Sequence, residues 1–101
     1  MRSVAQRIGG ELPVKKVILF GSYAWGKPGP DSDVDLFIIM KSRERPARRA
    51  SRIYQMLYPP PFPMDILVRT PQEVRRRMAQ GDFFISDIIK QGKVLYERQT
   101  Y

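Results

Sequence analysis

The chain has 101 residues with a formal net charge of +8, and it contains neither cysteine nor histidine. The length predicts one domain over 1–101. The missing residue types exclude disulfides, thiolate or imidazole metal sites, and Ser-His or Cys-His nucleophilic catalysis, so any metal must bind to oxygen ligands. No apolar run approaches the roughly 20 residues of a membrane span, and no secretory pattern follows Met1, so we expect a cytoplasmic protein without membrane association.

The chain begins with a predicted helix, a strand and a second helix. Apolar residues at helical spacing predict a short helix over 2–9, ended by Gly9-Gly10. The β-rich run Val14–Phe20 predicts a buried strand. Ser22 stands where a helix N-cap would be, with Tyr23–Trp25 as the first turn.

A loop, a two-faced strand and a basic helix follow. Pro and Gly predict a loop over 27–32 and an extended connection over 58–63. Asp33–Met40 predicts the second strand. Its alternating residues face two ways, with Val34, Leu36 and Ile38 on one side and Asp33, Asp35 and Phe37 on the other. Arg43–Leu57 predicts a helix with one apolar side and arginines on the rest.

The last part of the chain predicts a strand, two capped helices and a final strand. Met64–Arg69 is the strand, and Thr70-Pro71-Gln72-Glu73 is a capping box for a helix that runs to about Gln80. Asp82 caps the next helix, which Gly92 closes, and Lys93–Tyr96 is the last strand. The apolar stripe predicted for that last helix is Phe84, Ile85, Ile88 and Ile89. The order α-β-α-β-α-β-α-α-β predicts an α/β or α+β class around a small mixed sheet flanked by helices.

Three aspartates stand in otherwise apolar strands. Asp33 and Asp35, two positions apart, project from one face with their Cα atoms about 7 Å apart. Like charges held this close are costly unless a cation lies between them. If the strand that carries Asp65 is a neighbour, three carboxylates converge as a two-metal phosphoryl-transfer site requires. The alternative is a structural role, since an Asp at a strand start, such as Asp33, often caps a turn.

Gly21-Ser22 supplies a second feature of a nucleotide site. A strand that ends in Gly and opens into a helix directs free backbone N–H groups and the helix dipole at an anion. The Ser22 hydroxyl can also donate to a phosphate oxygen. Taken alone, such a pair is typical of an ordinary turn.

Together these residues resemble a known signature. Gly21-Ser22, ten residues and then Asp33-x-Asp35 resembles the Gly-Ser-x10-Asp-x-Asp motif of the DNA polymerase β-like nucleotidyltransferase superfamily. The resemblance to its minimal nucleotidyltransferases (MNT) covers nearly the whole chain. It is carried by the segments 20–26, 32–36, 64–68 and 88–97. Trp25 stands where that family often has Arg.

The resemblance implies a polymerase β-like fold, a metal-dependent reaction and a nucleotide donor. By similarity, Asp33 and Asp35 would ligate two Mg²⁺ ions, with Mn²⁺ as the other candidate. Asp65 would hold the catalytic metal and favour deprotonation of an attacking hydroxyl. Gly21 and Ser22 would hold the β- and γ-phosphates of ATP.

The resemblance also implies a partner. MNT proteins are commonly antitoxins that pair with a HEPN-domain ribonuclease toxin, and some transfer AMP to a tyrosine hydroxyl of that toxin. The small size favours a protein acceptor with its own binding surface. Two alternatives are a binding-only antitoxin, which Trp25 favours, and a small-molecule nucleotidyltransferase subunit.

The arginines form two clusters that would help to dock the partner. They are Arg43, Arg45, Arg48, Arg49 and Arg52 in one helix and Arg75, Arg76 and Arg77 in another. Direct binding of nucleic acid is not favoured, because neither cluster has interleaved aromatic residues. For at least half of these arginines we expect no role beyond a solvated helix face.

Overall fold

The computed structural model describes residues 1–26, 29 and 33–98. Its helices and strands are, in chain order, α1 (Arg2–Glu11), β1 (Val14–Phe20), β2 (Val34–Met40), α2 (Pro46–Met56), β3 (Met64–Arg69), α3 (Pro71–Ala79), α4 (Phe83–Gln91) and β4 (Lys93–Glu97). The sheet order is β3-β2-β1-β4, with β2 and β3 parallel and the other pairs antiparallel. The predicted α+β class with a small mixed sheet is confirmed. No helix in the described ranges is long and apolar enough to cross a membrane.

Helices cover both faces of the sheet, and the two faces of β2 show how. Leu36 and Ile38 pack in a core with residues of α1 and α2, whereas Phe37 and Ile39 pack with residues of α3 and α4. A strand that is buried on both faces carries a nearly continuous apolar run. In β2 that run is interrupted by a single charged residue, Asp35.

Helix α1 continues through the two glycines that were predicted to end it. It runs to Glu11, and the Leu12 N–H still donates to the Ile8 carbonyl, at 3.1 Å. A Cβ at Gly9 would lie 2.3 Å from Cζ of Tyr96, so the aromatic ring occupies the space of a side chain. Gly9 therefore allows α1 to pack closely against β4, which is a tertiary requirement and not a stop signal.

The prediction of a helix after Ser22 is wrong. Residues 22–26 form a turn in which the Ala24 and Trp25 N–H groups both donate to the Gly21 carbonyl, at 3.0 and 3.1 Å. Gly26 is the last residue of this turn, and its φ of +85° is a left-handed conformation that cannot continue into a helix. The predicted loop over 27–32 lies outside the described residues except for Gly29.

Helix α2 begins at Pro46 and not at the predicted Arg43. Proline is tolerated in the first helical turn, where its missing N–H has no partner to lose, but not in the interior. Both predicted caps in the last third of the chain are confirmed. The Glu73 N–H donates to Oγ1 of Thr70 at 3.1 Å and the Thr70 N–H to Oε1 of Glu73 at 2.8 Å, while the Ile85 N–H donates to Oδ1 of Asp82 at 3.0 Å.

One arginine of the α2 cluster is a structural residue. Arg49 is only 5% exposed and donates through both terminal nitrogens to the carboxylate of Glu73, at 2.7 and 3.3 Å. Its Nε donates to the Glu44 carbonyl at 2.7 Å. The hydrogen bond from Arg49 is the main reason why the pKa of Glu73 falls to about 2. The pair joins α2 to α3, so Arg49 lies on neither a solvated face nor a docking face.

Replacing Glu73 with Gln is expected to lower the free energy of unfolding at neutral pH by about 2 kcal/mol, because Arg49 stays buried without an anionic partner. The folded-state pKa is depressed, so the ionised carboxylate stabilises the fold above about pH 4.5 and loses this effect as the pH falls towards 2. Urea unfolding across this range should show the difference between native and variant vanishing in acid. Glu11→Gln is the matched control, since its pair with Arg7 is more than half exposed, and equal losses in both variants would contradict the prediction.

Candidate active site

The three aspartates lie at one edge of the sheet, where β1 ends and β2 and β3 begin. In the register of the strands, Phe20 pairs with Asp35 and Asp35 pairs with Asp65. Paired residues of adjacent strands project from the same face. Asp33 immediately precedes β2. The condition set by the sequence, that the strand of Asp65 is a neighbour, is therefore met.

The carboxylates influence one another electrostatically. Asp35 is partly buried, whereas Asp33 and Asp65 are exposed. Burial raises the pKa of Asp35, and the charges of Asp65 and then Asp33 raise it further. The ionised form of Asp35 is thus disfavoured by its surroundings, which is the condition a bound cation would relieve.

In this structure the three aspartate side chains are not arranged as a complete set of metal ligands. Over residues 1–26, 29 and 33–98, no three acidic side chains form a group that could hold a metal ion. The donor set nevertheless fits a hard divalent cation in its chemistry, because it consists of carboxylate oxygens that repel one another. The strand register brings the three positions together, and their role as metal ligands stays a prediction.

Gly21 lies beside the Asp35 carboxylate, where there is no space for a side chain. Its φ is +76°, in the region that favours glycine, and a Cβ there would lie 2.2 Å from Oδ2 of Asp35. The sequence suggested that Gly21 allows close approach of a phosphate. The structure shows an additional reason for glycine, which is the close approach of the Asp35 carboxylate. Ser22 follows in the turn and is partly buried.

Two phenylalanines at the start of α4 lie near this end of the sheet. Phe84 packs edge-to-face against Phe20, the residue before Gly21, with ring centroids 5.9 Å apart. Within the predicted apolar stripe, Ile85 and Ile88 are buried. Phe84 is 55% exposed at the margin of the stripe, and Phe83 is 83% exposed.

The sequence contains a signal for this exposure. Asp82 sets the start of α4, so Phe83 and Phe84 are consecutive residues of its first turn. At about 100° per residue, Phe83 lies on the side of the helix opposite Ile85 and Ile88, whereas Phe84 lies at the border of their face. A third aromatic residue, Trp25, is 54% exposed in the turn that follows Gly21.

Comparison with known families agrees with this geometry. The model of the nucleotidyltransferase domain family matches residues 1–96. Neither a curated protein nor a solved structure matches the chain. The match covers every element that forms the carboxylate edge, from β1 to β3. The chain therefore belongs to the nucleotidyltransferase domain family and is a transferase of that type.

Proposed function

We propose that this nucleotidyltransferase transfers AMP from ATP to a hydroxyl group, a tyrosine of a HEPN-domain toxin, and acts as the antitoxin of that partner. The observation that carries the transfer is the pairing of Asp35 with Asp65 on adjacent parallel strands, beside Gly21. The identity of the partner rests on the resemblance to the MNT proteins.

The chemistry assigns a task to each residue. Asp33, Asp35 and Asp65 would hold Mg²⁺, which when bound neutralises phosphate charge at the reacting centre. Backbone N–H groups of Gly21 and Ser22 hold the β- and γ-phosphates and so orient the α-phosphorus. Asp65 would favour deprotonation of the attacking hydroxyl, whose proton passes to water while its oxygen forms a bond to the α-phosphorus. The bond from the α-phosphorus to the bridging oxygen breaks, and pyrophosphate leaves with that electron pair.

The exposed aromatic residues support a protein acceptor. Phe84 lies against Phe20, next to the residues proposed to hold the phosphates, and Phe83 and Trp25 are also exposed. Aromatic side chains are enriched where protein surfaces meet, whereas exposed ones are unfavourable in water. A tyrosine on a folded partner can be presented to the carboxylates by contacts with this apolar edge.

Transfer is tested with purified chain, the protein encoded by its neighbouring gene, and ATP labelled at either the α- or the γ-phosphate. We expect magnesium-dependent label on the partner from α-labelled ATP only, with a mass increase of one AMP. Chelation of the metal should stop the reaction. Absence of label with every nucleotide and divalent metal, although the folded partner binds, would disprove the proposal.

The binding-only antitoxin makes a different prediction, and Trp25 in place of the usual Arg is the observation that favours it. In cells that express the partner, the double variant Asp33→Asn/Asp35→Asn would then protect growth as well as the native chain. We expect protection to be lost while the variant still binds the partner. Pull-down of the partner by the variant separates loss of transfer from loss of binding.

A further inference from the structure

A basic groove lies at the opposite edge of the sheet from the aspartates. It is a cavity of about 760 Å³ where β2 and β3 end, and we define it by its four exposed cations, Lys41, Arg43, Arg75 and Arg76. The aspartates lie at the starts of the same two strands. A strand of six or seven residues is about 20 Å long, so the groove is separate from the candidate active site.

The cations of the basic groove are not neutralised by the fold. In the described part of the chain, none of the four forms an ion pair. The carboxylate that lines the groove belongs to Glu73, and it is already paired with Arg49. The helix α3 starts in the groove wall, which adds the positive end of a helix dipole. The groove therefore holds uncompensated positive charge.

The remaining lining indicates which kind of anion fits. It includes Ser42, Thr70 and Gln72, side chains that commonly contact phosphate oxygens together with Arg, Lys and helix N-termini. Among the described residues, none with an aromatic or large aliphatic side chain lines it. Interfaces with proteins usually need an apolar centre, so an acidic protein segment fits less well than a polyanion.

The positive surface continues beyond the groove. A neighbouring cavity shares Arg76 and Glu73 and is also lined by Arg69 and by Arg77, which lies 3.6 Å from a carboxylate oxygen of Asp82. Arginine forks match phosphate oxygens with two hydrogen bonds each. Several such groups in two adjoining cavities fit a chain of phosphates better than a single phosphate ion.

We infer, in contrast to the expectation from the sequence, that the basic groove binds the phosphodiester backbone of a polynucleotide strand without reading its bases. The missing aromatic residues exclude base stacking in the groove but not contacts with phosphates. Its arginines and lysine would contact successive phosphates. The described lining residues include no aromatic side chain on which a base could stack. This inference does not depend on the proposed transfer reaction, since the groove and the aspartates occupy opposite edges of the sheet.

The test is fluorescence anisotropy of labelled single strands of about 12 nucleotides, as RNA and as DNA of the same sequence. Contacts from four cations predict an affinity that falls about 50-fold between 50 and 200 mM salt, because each phosphate contact on a single strand contributes about 0.7 to the logarithmic slope. The double variant Arg75→Gln/Arg76→Gln should bind more weakly. Because two contacts remain, its affinity should fall only about 7-fold between 50 and 200 mM salt.

The matched control is Arg2→Gln/Lys90→Gln, which removes the same charge from exposed positions of α1 and α4. We expect this variant to keep the native salt dependence, and circular dichroism should show that both variants are folded. If both variants lose the same affinity, binding depends only on the overall charge of the protein, and the inference is overturned. The inference also fails if no strand binds in 50 mM salt, or if polyglutamate displaces the strands at equal charge concentration. RNA and DNA of equal affinity support a contact to phosphates alone, and a preference for RNA identifies it as the ligand.

Discussion

Asp35→Asn is expected to abolish nucleotidyl transfer and at the same time to make the fold more stable. The carboxylate is the central member of the proposed metal site, and a loss of about a thousandfold corresponds to about 4 kcal/mol of transition-state stabilisation. Burial and the charges of Asp65 and Asp33 raise the pKa of Asp35, so folding disfavours its ionised form. At neutral pH the uncharged amide removes that cost, and the thermal midpoint without metal should rise.

The gain in stability has a defined pH dependence. A carboxyl with a raised pKa stabilises the fold below its unfolded-state value of 3.8 and loses this effect as the pH rises through the folded-state value. The advantage of Asp35→Asn should therefore be present at neutral pH and disappear in acid. Asp87→Asn, on the exposed face of α4, is the control and should change neither transfer nor the midpoint. Transfer at the native rate by the Asp35 variant would remove this residue from the reaction.

Gly21→Ala is expected to damage both the fold and the reaction. The φ of +76° is strained for alanine, and the new Cβ would lie 2.2 Å from Oδ2 of Asp35. The strain and the collision together predict a loss of about 2 kcal/mol of unfolding free energy. Because the Asp35 carboxylate must move, transfer should also fall by at least about tenfold, as expected for a catalytic group displaced by about 1 Å.

Gly81→Ala provides a close control for that experiment. Gly81 has a φ of +80°, but a Cβ there would have no neighbour within 4 Å in the described part of the chain. It imposes similar backbone strain without a collision with an aspartate, so it should cost about 1 kcal/mol and leave transfer unchanged. Chemical denaturation and the transfer assay on both variants separate strain from collision. If the two variants behave alike, the contact between Gly21 and Asp35 has no functional role.

Local chemistry in the sequence was enough to predict most of the helices and strands. The Thr70 to Glu73 capping box and the Asp82 cap depend on side chains that bond within three residues, so their neighbours in sequence suffice to identify them. The alternation in β2 likewise assigned Leu36 and Phe37 to opposite faces. The spacing of Gly21, Asp33 and Asp35 indicated a nucleotidyltransferase before any strand was paired, and the family match agrees.

Features that depend on a distant partner required the tertiary structure. Gly9 does not end α1, because the space for its side chain is taken by Tyr96 from the other end of the chain. Arg49 looked like its neighbouring arginines until its bond to Glu73, 24 residues away, distinguished it. Phe84 lies at the edge of the sheet because α4 crosses beside Phe20.

The candidate site shows the same division. The sequence by itself determined which residue types stand at positions 21, 33, 35 and 65, and therefore which chemistry they can support. Only the tertiary structure decided that β3 pairs with β2 in a register that places Asp65 beside Asp35, and that Gly21 contacts the same carboxylate. Strand pairing between segments some 30 residues apart depends on how α2 packs across the sheet, and no local pattern specifies that geometry.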